Sequence, residues 1–167
     1  MATIESLELS NTNTMQYSYG QFLVYDQYES EPGSLWSDQH IAQGFVRRRR
    51  ALGVSTLTQH GKATVRTFLG SPDGLNGYDR VISVPIELAS GILCIEGPEE
   101  YPIQRSIKVI PGSYRLVAAQ TQVSETELNI DVYIDHLVET DPKSKILKAD
   151  ELIQVSGPLL ETGDVAP

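Results

Sequence analysis

Leu128-Asn129-Ile130-Asp131-Val132-Tyr133-Ile134-Asp135 alternates strictly between aliphatic residues and polar or amphipathic ones. A period of two puts Leu128, Ile130, Val132 and Ile134 on one face of an extended chain, with Asn129, Asp131, Tyr133 and Asp135 on the other. This pattern predicts a strand with one face in a core and the other in water. The same period recurs upstream. Over residues 80–88, Ile82, Val84, Ile86 and Leu88 share a face opposite Ser83 and Glu87, while Pro85 implies an edge position or a bulge. Residues 64–69, 91–96 and 105–110 read as further strands, the last stopped by Pro111-Gly112. Tyr114, Leu116 and Ala118 alternate with Arg115 in the next. Residues 17–25, rich in aromatic and β-branched side chains, read as one strand in which Gly20 marks a bulge or a close backbone approach.

Dense turn chemistry separates these runs, as in Ser71-Pro72-Asp73-Gly74-Leu75-Asn76-Gly77, which reads as a hairpin loop rather than a calcium loop. One helix interrupts the β pattern, near residues 37–44. Ser37 is its N-cap, Asp38 suits its first turn, and Gly44 closes it in a left-handed conformation. Trp36 and Ile41 stand at the spacing of a hydrophobic staple. Seven or eight short strands, no internal repeat and no βαβ alternation predict an all-β fold, a two-sheet antiparallel β-sandwich with that one helix. The expected core contains Phe22, Val24, Trp36, Ile41, Phe68, Ile82, Val84, Ile86, Leu116, Ile130, Val132 and Ile134. Residues 1–14 are expected as an N-terminal extension with a loose polar spacer at 10–14. A single domain is expected over 15–140, and a partly flexible C-terminal extension over 141–167.

The 167 residues are 40% hydrophobic and 21% charged, ordinary values for one soluble domain. The net charge of −9 is unevenly spread. Residues 1–45 hold six acids and no Lys or Arg, residues 46–119 six acids against ten bases, and residues 120–167 ten acids against three bases. Free nucleic acid is therefore excluded as a partner of the whole molecule, and a basic protein is favoured. The start of the chain has neither a basic nor an apolar signal segment, and no apolar run reaches the length of a membrane helix. The expected location is the cytoplasm, without membrane insertion and with recruitment to the membrane left to a partner.

No constellation suggests catalysis. His40, His60 and His136 stand at no metal-ligand spacing, and Asp135 and His136, adjacent on a strand, point to opposite faces. Cys94, in an apolar run, reads as a small buried hydrophobe. There is no phosphate loop, nucleophile elbow or dinucleotide fingerprint. Arg47-Arg48-Arg49-Arg50 lacks interleaved aromatics and reads as an edge or turn paired with nearby carboxylates. The chain is expected to be no enzyme and to carry no cofactor and no metal.

Four blocks, in order, carry a family resemblance. They are Tyr17-Ser18-Tyr19-Gly20-Gln21-Phe22-Leu23-Val24-Tyr25, Trp36-Ser37-Asp38-Gln39-His40-Ile41-Ala42-Gln43-Gly44-Phe45, Val81-Ile82-Ser83-Val84-Pro85-Ile86-Glu87-Leu88 with Gly91-Ile92, and Ile110-Pro111-Gly112-Ser113-Tyr114-Arg115-Leu116. With these the chain resembles the competence protein J family over residues 15 to 137. The Trp-Ser-Asp helix and the Val-Pro strand are the more specific blocks. The tail after Val138 lies beyond the resemblance. The resemblance implies a protein inhibitor of a bacterial competence-associated DNase. It would bind its nuclease stoichiometrically through an acidic surface, as an immunity-type protein does.

The expected partner is thus a nuclease with a basic cleft, and a homo-oligomer stays open. The other reading is a non-catalytic β-sandwich interaction module with no nuclease partner. The acids expected to bind are those on loops or on the polar face of a strand: Glu29, Glu31, Glu99, Glu100, Asp131 and Asp135.

Overall fold

The computed structural model describes residues 8–99 and 106–167. In chain order these residues form β1 (Glu8–Tyr17), β2 (Gln21–Asp26), α1 (Asp38–Gln43), β3 (Phe45–Arg47), β4 (Ala51–Ser55) and β5 (Gly61–Leu69). Then come β6 (Arg80–Leu88), β7 (Ile92–Glu96), β8 (Ser106–Lys108), β9 (Gly112–Ser124), β10 (Glu127–His136) and β11 (Lys145–Lys148). They make the expected two-sheet sandwich with one short helix. One sheet has the order β1-β5-β10-β9-β6-β11 and the other β3-β4-β2-β7-β8. All pairings are antiparallel except β5 with β10, which run parallel from Lys62↔Glu127 to Leu69↔Ile134.

The inner faces meet in a single core in which Phe22, Phe45, Leu116, Ile130, Val132 and Ile134 are fully buried. Deleting such side chains costs about 2–5 kcal/mol each. Pro85 sits where expected. β11 covers β6 only as far as Ser83, so at Pro85 that side of β6 is an open edge. Close approach of the two sheets is permitted by Gly97, where a Cβ would stand 1.9 Å from the Gln16 carbonyl oxygen.

Several expectations are corrected. Residues 17–25 are not one strand. β1 belongs to the first sheet and β2 to the second, and the chain crosses between them at Tyr19 and Gly20, both with positive φ (55° and 65°). Ser18 and Gln21 bridge across this two-residue turn, and such turns require left-handed residues at both central positions. The spacer at residues 10–14, expected to be loose, lies within β1 and pairs with β5. Residues 70–79 form no hairpin loop, because β5 and β6 are separated by β10 and β9. This segment instead crosses the outer face of the first sheet. There Leu75 and Tyr78 pack with Phe68 on Val81, Val117, Ala119 and Tyr133, and the Phe68 and Tyr133 rings stack at 4.9 Å. Phe68 therefore belongs to this outer cluster rather than to the main core. At Asp131 and Tyr133 β10 is covered on both faces, while Asn129 on the same polar face stays exposed.

α1 carries the caps read from its sequence. The Ser37 side chain accepts from the His40 N–H, His40 Nδ1 accepts from the Ser37 N–H, and Gly44 adopts φ 84°. Its burial is the reverse of the expectation. Ile41 is 60% exposed and Trp36 only half-buried, whereas His40 and Gln43 are buried. The reason lies in the C-terminal segment. The Gln43 amide exchanges two hydrogen bonds with the Leu160 backbone, at 2.8 and 2.9 Å, and His40 Nε2 meets the Thr162 carbonyl at 2.8 Å. Residues 159–166 thus run as a strap along the helix, with Asp164 O accepting from Leu35 N–H and Gly33 O from Ala166 N–H. Buried polar groups on the helix are satisfied by strap backbone, so no apolar staple is needed.

Candidate partner-binding surfaces

The registers define two ends of the sandwich. Tyr17↔Gly61, Lys62↔Glu127, Arg80↔Gln120 and Gln21↔Ser55 lie together at the end that carries the Tyr19-Gly20 hairpin. The β3–β4 turn, with its arginines, lies at the other.

At the arginine end, Arg47, Arg48, Arg49, Arg50, Glu29, Glu87 and Glu161 line an open cleft of about 760 Å³. Three of the four arginines pair with carboxylates as expected, and Arg48 bonds a hydroxyl and carbonyls instead. Arg47 Nη1 reaches Glu161 at 2.7 Å, and Arg49 and Arg50 share Glu87. Arg48 donates from Nε to Ser34 Oγ at 2.9 Å and from Nη2 to the carbonyls of Glu31 and Gly33. Glu161 also accepts from the Ser144 N–H and hydroxyl. Burial raises its pKa, but the Ser144 and Arg47 hydrogen bonds outweigh burial and hold it below the ordinary value.

The hairpin end is built around a buried guanidinium. Arg80, 1% exposed, donates to both Asp150 oxygens at 2.7 and 3.1 Å and to the Ser55 carbonyl at 2.9 Å. Burial works against the charge on Asp150, yet Arg80 and backbone N–H groups bring its pKa below the usual carboxylate value. Asp150 Oδ2 also takes the Leu152 N–H at 3.3 Å, which holds the turn carrying Glu151 and Leu152. Around this anchor, Tyr19, Trp36, Ile41 and Leu152 line a groove of about 460 Å³. A second hollow of about 640 Å³, sharing Leu152, is lined by Asp79, Val123, Glu125 and Glu151. Tyr19, Ile41, Leu152 and Val123 are 72, 60, 55 and 55% exposed.

The acids singled out from sequence do not converge. Glu29 is half-buried in the arginine cleft, and Glu31 is exposed beside it. Asp135 is half-buried at the same end, its carboxylate accepting from the His136 N–H. Glu99 is exposed at the hairpin end, where it accepts from the Ser18 hydroxyl at 3.3 Å and raises the pKa of the Tyr19 phenol. Glu100 lies outside the described residues. Asp131 does not face solvent. It is 1% exposed, gripped by Arg66 at 2.8 and 2.7 Å and by the Tyr78 hydroxyl at 2.6 Å. The loop that covers β10 buries it, and Arg66 stands in register on β5. Sequence reading missed Tyr19, Ile41, Leu152, Glu125 and Glu151 as surface candidates. A Tyr-Gly pair between two β patterns was the available signal for the hairpin.

Among the described residues no group of His, Cys, Asp or Glu is placed to hold a metal ion. Cys94 packs with Leu23, Tyr25 and Ala51 on the outer face of the second sheet. Burial, with Glu96 and Asp26 nearby, pushes its thiol up to about 11, which leaves it a poor nucleophile. The His136 ring stacks on Tyr114.

The family model for competence protein J matches residues 14–139. The chain belongs to the competence protein J family. The DNA-entry nuclease inhibitor of Bacillus subtilis (strain 168) is 24% identical over 120 residues, which cover 72% of this chain and 89% of that protein. The crystal structure of ComJ from Bacillus subtilis, described as an inhibitor of the DNA-degrading activity of NucA, superimposes with a TM-score of 0.68. The match has 18% identity over 79% of this chain and 99% of that one. The crocagin biosynthetic gene J product matches at a TM-score of 0.52 and 18% identity, over 77% of this chain and 97% of its own. Both structures share the fold of this chain. In the present family member, β11, Asp150 and the strap lie beyond the family-matched residues.

Proposed function

We propose that this protein is a stoichiometric inhibitor of a bacterial DNase, acting from the cytoplasm by occupying the nuclease's basic substrate cleft with an acidic surface. The observation that carries this reading is the alignment with the Bacillus subtilis DNA-entry nuclease inhibitor, which spans nearly all of that relative. Electrostatics supports it. A cleft that grips a DNA backbone is lined by Lys and Arg, and a protein of net charge −9 is drawn to it.

The test starts with capture from the native host on immobilised protein, followed by DNase assays of the eluate. Titration of the captured nuclease with this protein should then abolish DNA cleavage linearly, with the endpoint at a fixed molar ratio. Capture of proteins without DNase activity, and no loss of cleavage at excess inhibitor, would favour the general interaction module instead.

A further inference from the structure

We propose that the hairpin end is the part of the surface that enters the nuclease cleft. Tyr19, Ile41 and Leu152 form its apolar centre, and Glu99, Glu125 and Glu151 form its acidic rim. This inference rests on the inhibitor reading above.

Tyr19 is the first observation. Among the described residues it is the non-glycine residue with positive φ, at 55°, in a turn position that Asn, Asp or Gly fill at less cost. Its ring is 72% exposed, so burial within the chain does not offset the strain. Within the fold its phenol makes a hydrogen bond to the exposed Glu99 carboxylate, a small return for the strain, and such a residue points to a role at the surface.

The second observation is the inverted helix. Six residues long, α1 turns His40 and Gln43 inward and leaves Ile41 60% exposed. Third, Leu152 is held out by a rigid device. The fully buried Arg80 fixes Asp150, whose carboxylate takes the Leu152 N–H, so this loop is ordered before any partner arrives. Tyr19, Ile41 and Leu152 line one groove with Trp36. Apolar centres of this kind, ringed by polar groups, are the anatomy of protein interfaces, with aromatic side chains as energetic anchors.

Charge selects the occupant. Glu99, Glu125 and Glu151 are exposed around the groove, while the cation at its floor, Arg80, is neutralised by Asp150. The surface therefore offers carboxylates to a basic cleft. At the opposite end Glu87 and Glu161 are already engaged by Arg47, Arg49 and Arg50, so these carboxylates are not offered to a basic cleft. Glu151 and Leu152 lie beyond the family-matched residues 14–139, so this part of the surface adjusts the choice of nuclease in this chain.

The test uses the full-length protein and the DNase captured from its host. Association and dissociation rates and the inhibition constant are measured for wild type, Tyr19→Gly, Ile41→Gln, Leu152→Gln and the triple variant Glu99→Gln/Glu125→Gln/Glu151→Gln. Exposed Glu139 and Asp141, which follow β10 at the arginine end, supply the control variant Glu139→Gln/Asp141→Asn. Tyr19→Gly keeps the positive φ and removes the ring, and it should weaken inhibition by roughly 30-fold. The triple variant should associate about 10-fold more slowly at low salt, a difference that high salt erases. The control should inhibit as wild type does. Circular dichroism checks folding, and because the three acids are exposed, the triple variant keeps the test decisive if an apolar variant misfolds. Wild-type inhibition with every hairpin-end variant within about threefold of it overturns this surface and leaves the inhibitor reading standing. No inhibition by wild type overturns the inhibitor reading, and the surface with it.

Discussion

The two ends of the sandwich treat charge in opposite ways. At the arginine end, four consecutive cations are closed internally. Arg47 goes to Glu161, Arg49 and Arg50 share Glu87, and Arg48 is held by Ser34 and two carbonyls. At the hairpin end a single arginine, Arg80, is sunk out of solvent and bound to Asp150, while Glu99, Glu125 and Glu151 stand outward beside exposed Tyr19, Ile41 and Leu152. The run of four arginines is the most conspicuous charge feature of the sequence, yet its charge is spent on holding turns and the strap together. The quieter end keeps Glu99, Glu125, Glu151 and its apolar side chains exposed. A charge run therefore says little about binding until its partners are known, and an apolar residue exposed among exposed acids says more.

The comparison breaks most sharply at Arg80. Asp150→Ala removes the carboxylate facing a buried guanidinium, and leaving such a charge unpaired costs about 3–5 kcal/mol. Urea denaturation should show that loss, and the Leu152 turn should become susceptible to proteolysis. A loss below about 1 kcal/mol would mean that water reaches Arg80 freely, and the rigid anchor at the hairpin end would have to be abandoned.

Acid attacks both ends through the same chemistry. Asp150 and Glu161 have folded-state pKa values below their ordinary values of 3.8 and 4.5. A depressed pKa adds stability that is fully present above the unfolded value and is lost as pH falls through the folded one. Stability contributed by these two carboxylates should thus be flat above about pH 5 and decline below about pH 4. Asp150→Asn/Glu161→Gln should flatten that decline. An unchanged acid limb in the double variant would assign acid sensitivity to other carboxylates.

How much of this was legible follows from where each signal lives. Strand positions were readable because a sandwich core imposes period two, as in Leu128, Ile130, Val132 and Ile134. The α1 caps were readable because Ser37 and Gly44 act locally. What failed depended on segments distant in sequence. Asp131 looked solvent-facing because nothing local announces that residues 70–79 cross over it. Ile41 looked buried because the strap that satisfies His40 and Gln43 comes from residues 160–162. Of the described acids proposed from sequence, Glu99 falls among the groups at the hairpin end, and the apolar half of that surface carries no periodic signature.

At the arginine end the expected effect is smaller. Glu87→Gln weakens a partly exposed carboxylate shared by Arg49 and Arg50, with side-chain exposures of 25, 76 and 35%. The cost should be about 1–2 kcal/mol, between the values for exposed and buried pairs. Thermal melts report it, and nuclease inhibition should not change. Lost inhibition in a folded Glu87→Gln protein would move the binding surface to the arginine end.

The smallest energetic effect separates the two ends most cleanly. Tyr19 holds a left-handed conformation that costs an L-residue roughly 1–2 kcal/mol and costs glycine almost nothing. The ring is 72% exposed, and the hydrogen bond from its hydroxyl to exposed Glu99 offsets only part of that cost. Tyr19→Gly should therefore raise stability by about 1 kcal/mol, read as a higher denaturation midpoint with an unchanged slope. Tyr19→Asn, which tolerates the same conformation, should give part of that gain, and Tyr19→Ala, which does not, should give none. If the same Tyr19→Gly protein inhibits its nuclease less well, stability and binding are opposed at one residue. That opposition is what a strained side chain kept for a partner requires. A Tyr19→Gly protein that is less stable than wild type would show that the ring contributes to the fold, and the strain argument for the hairpin end would fail.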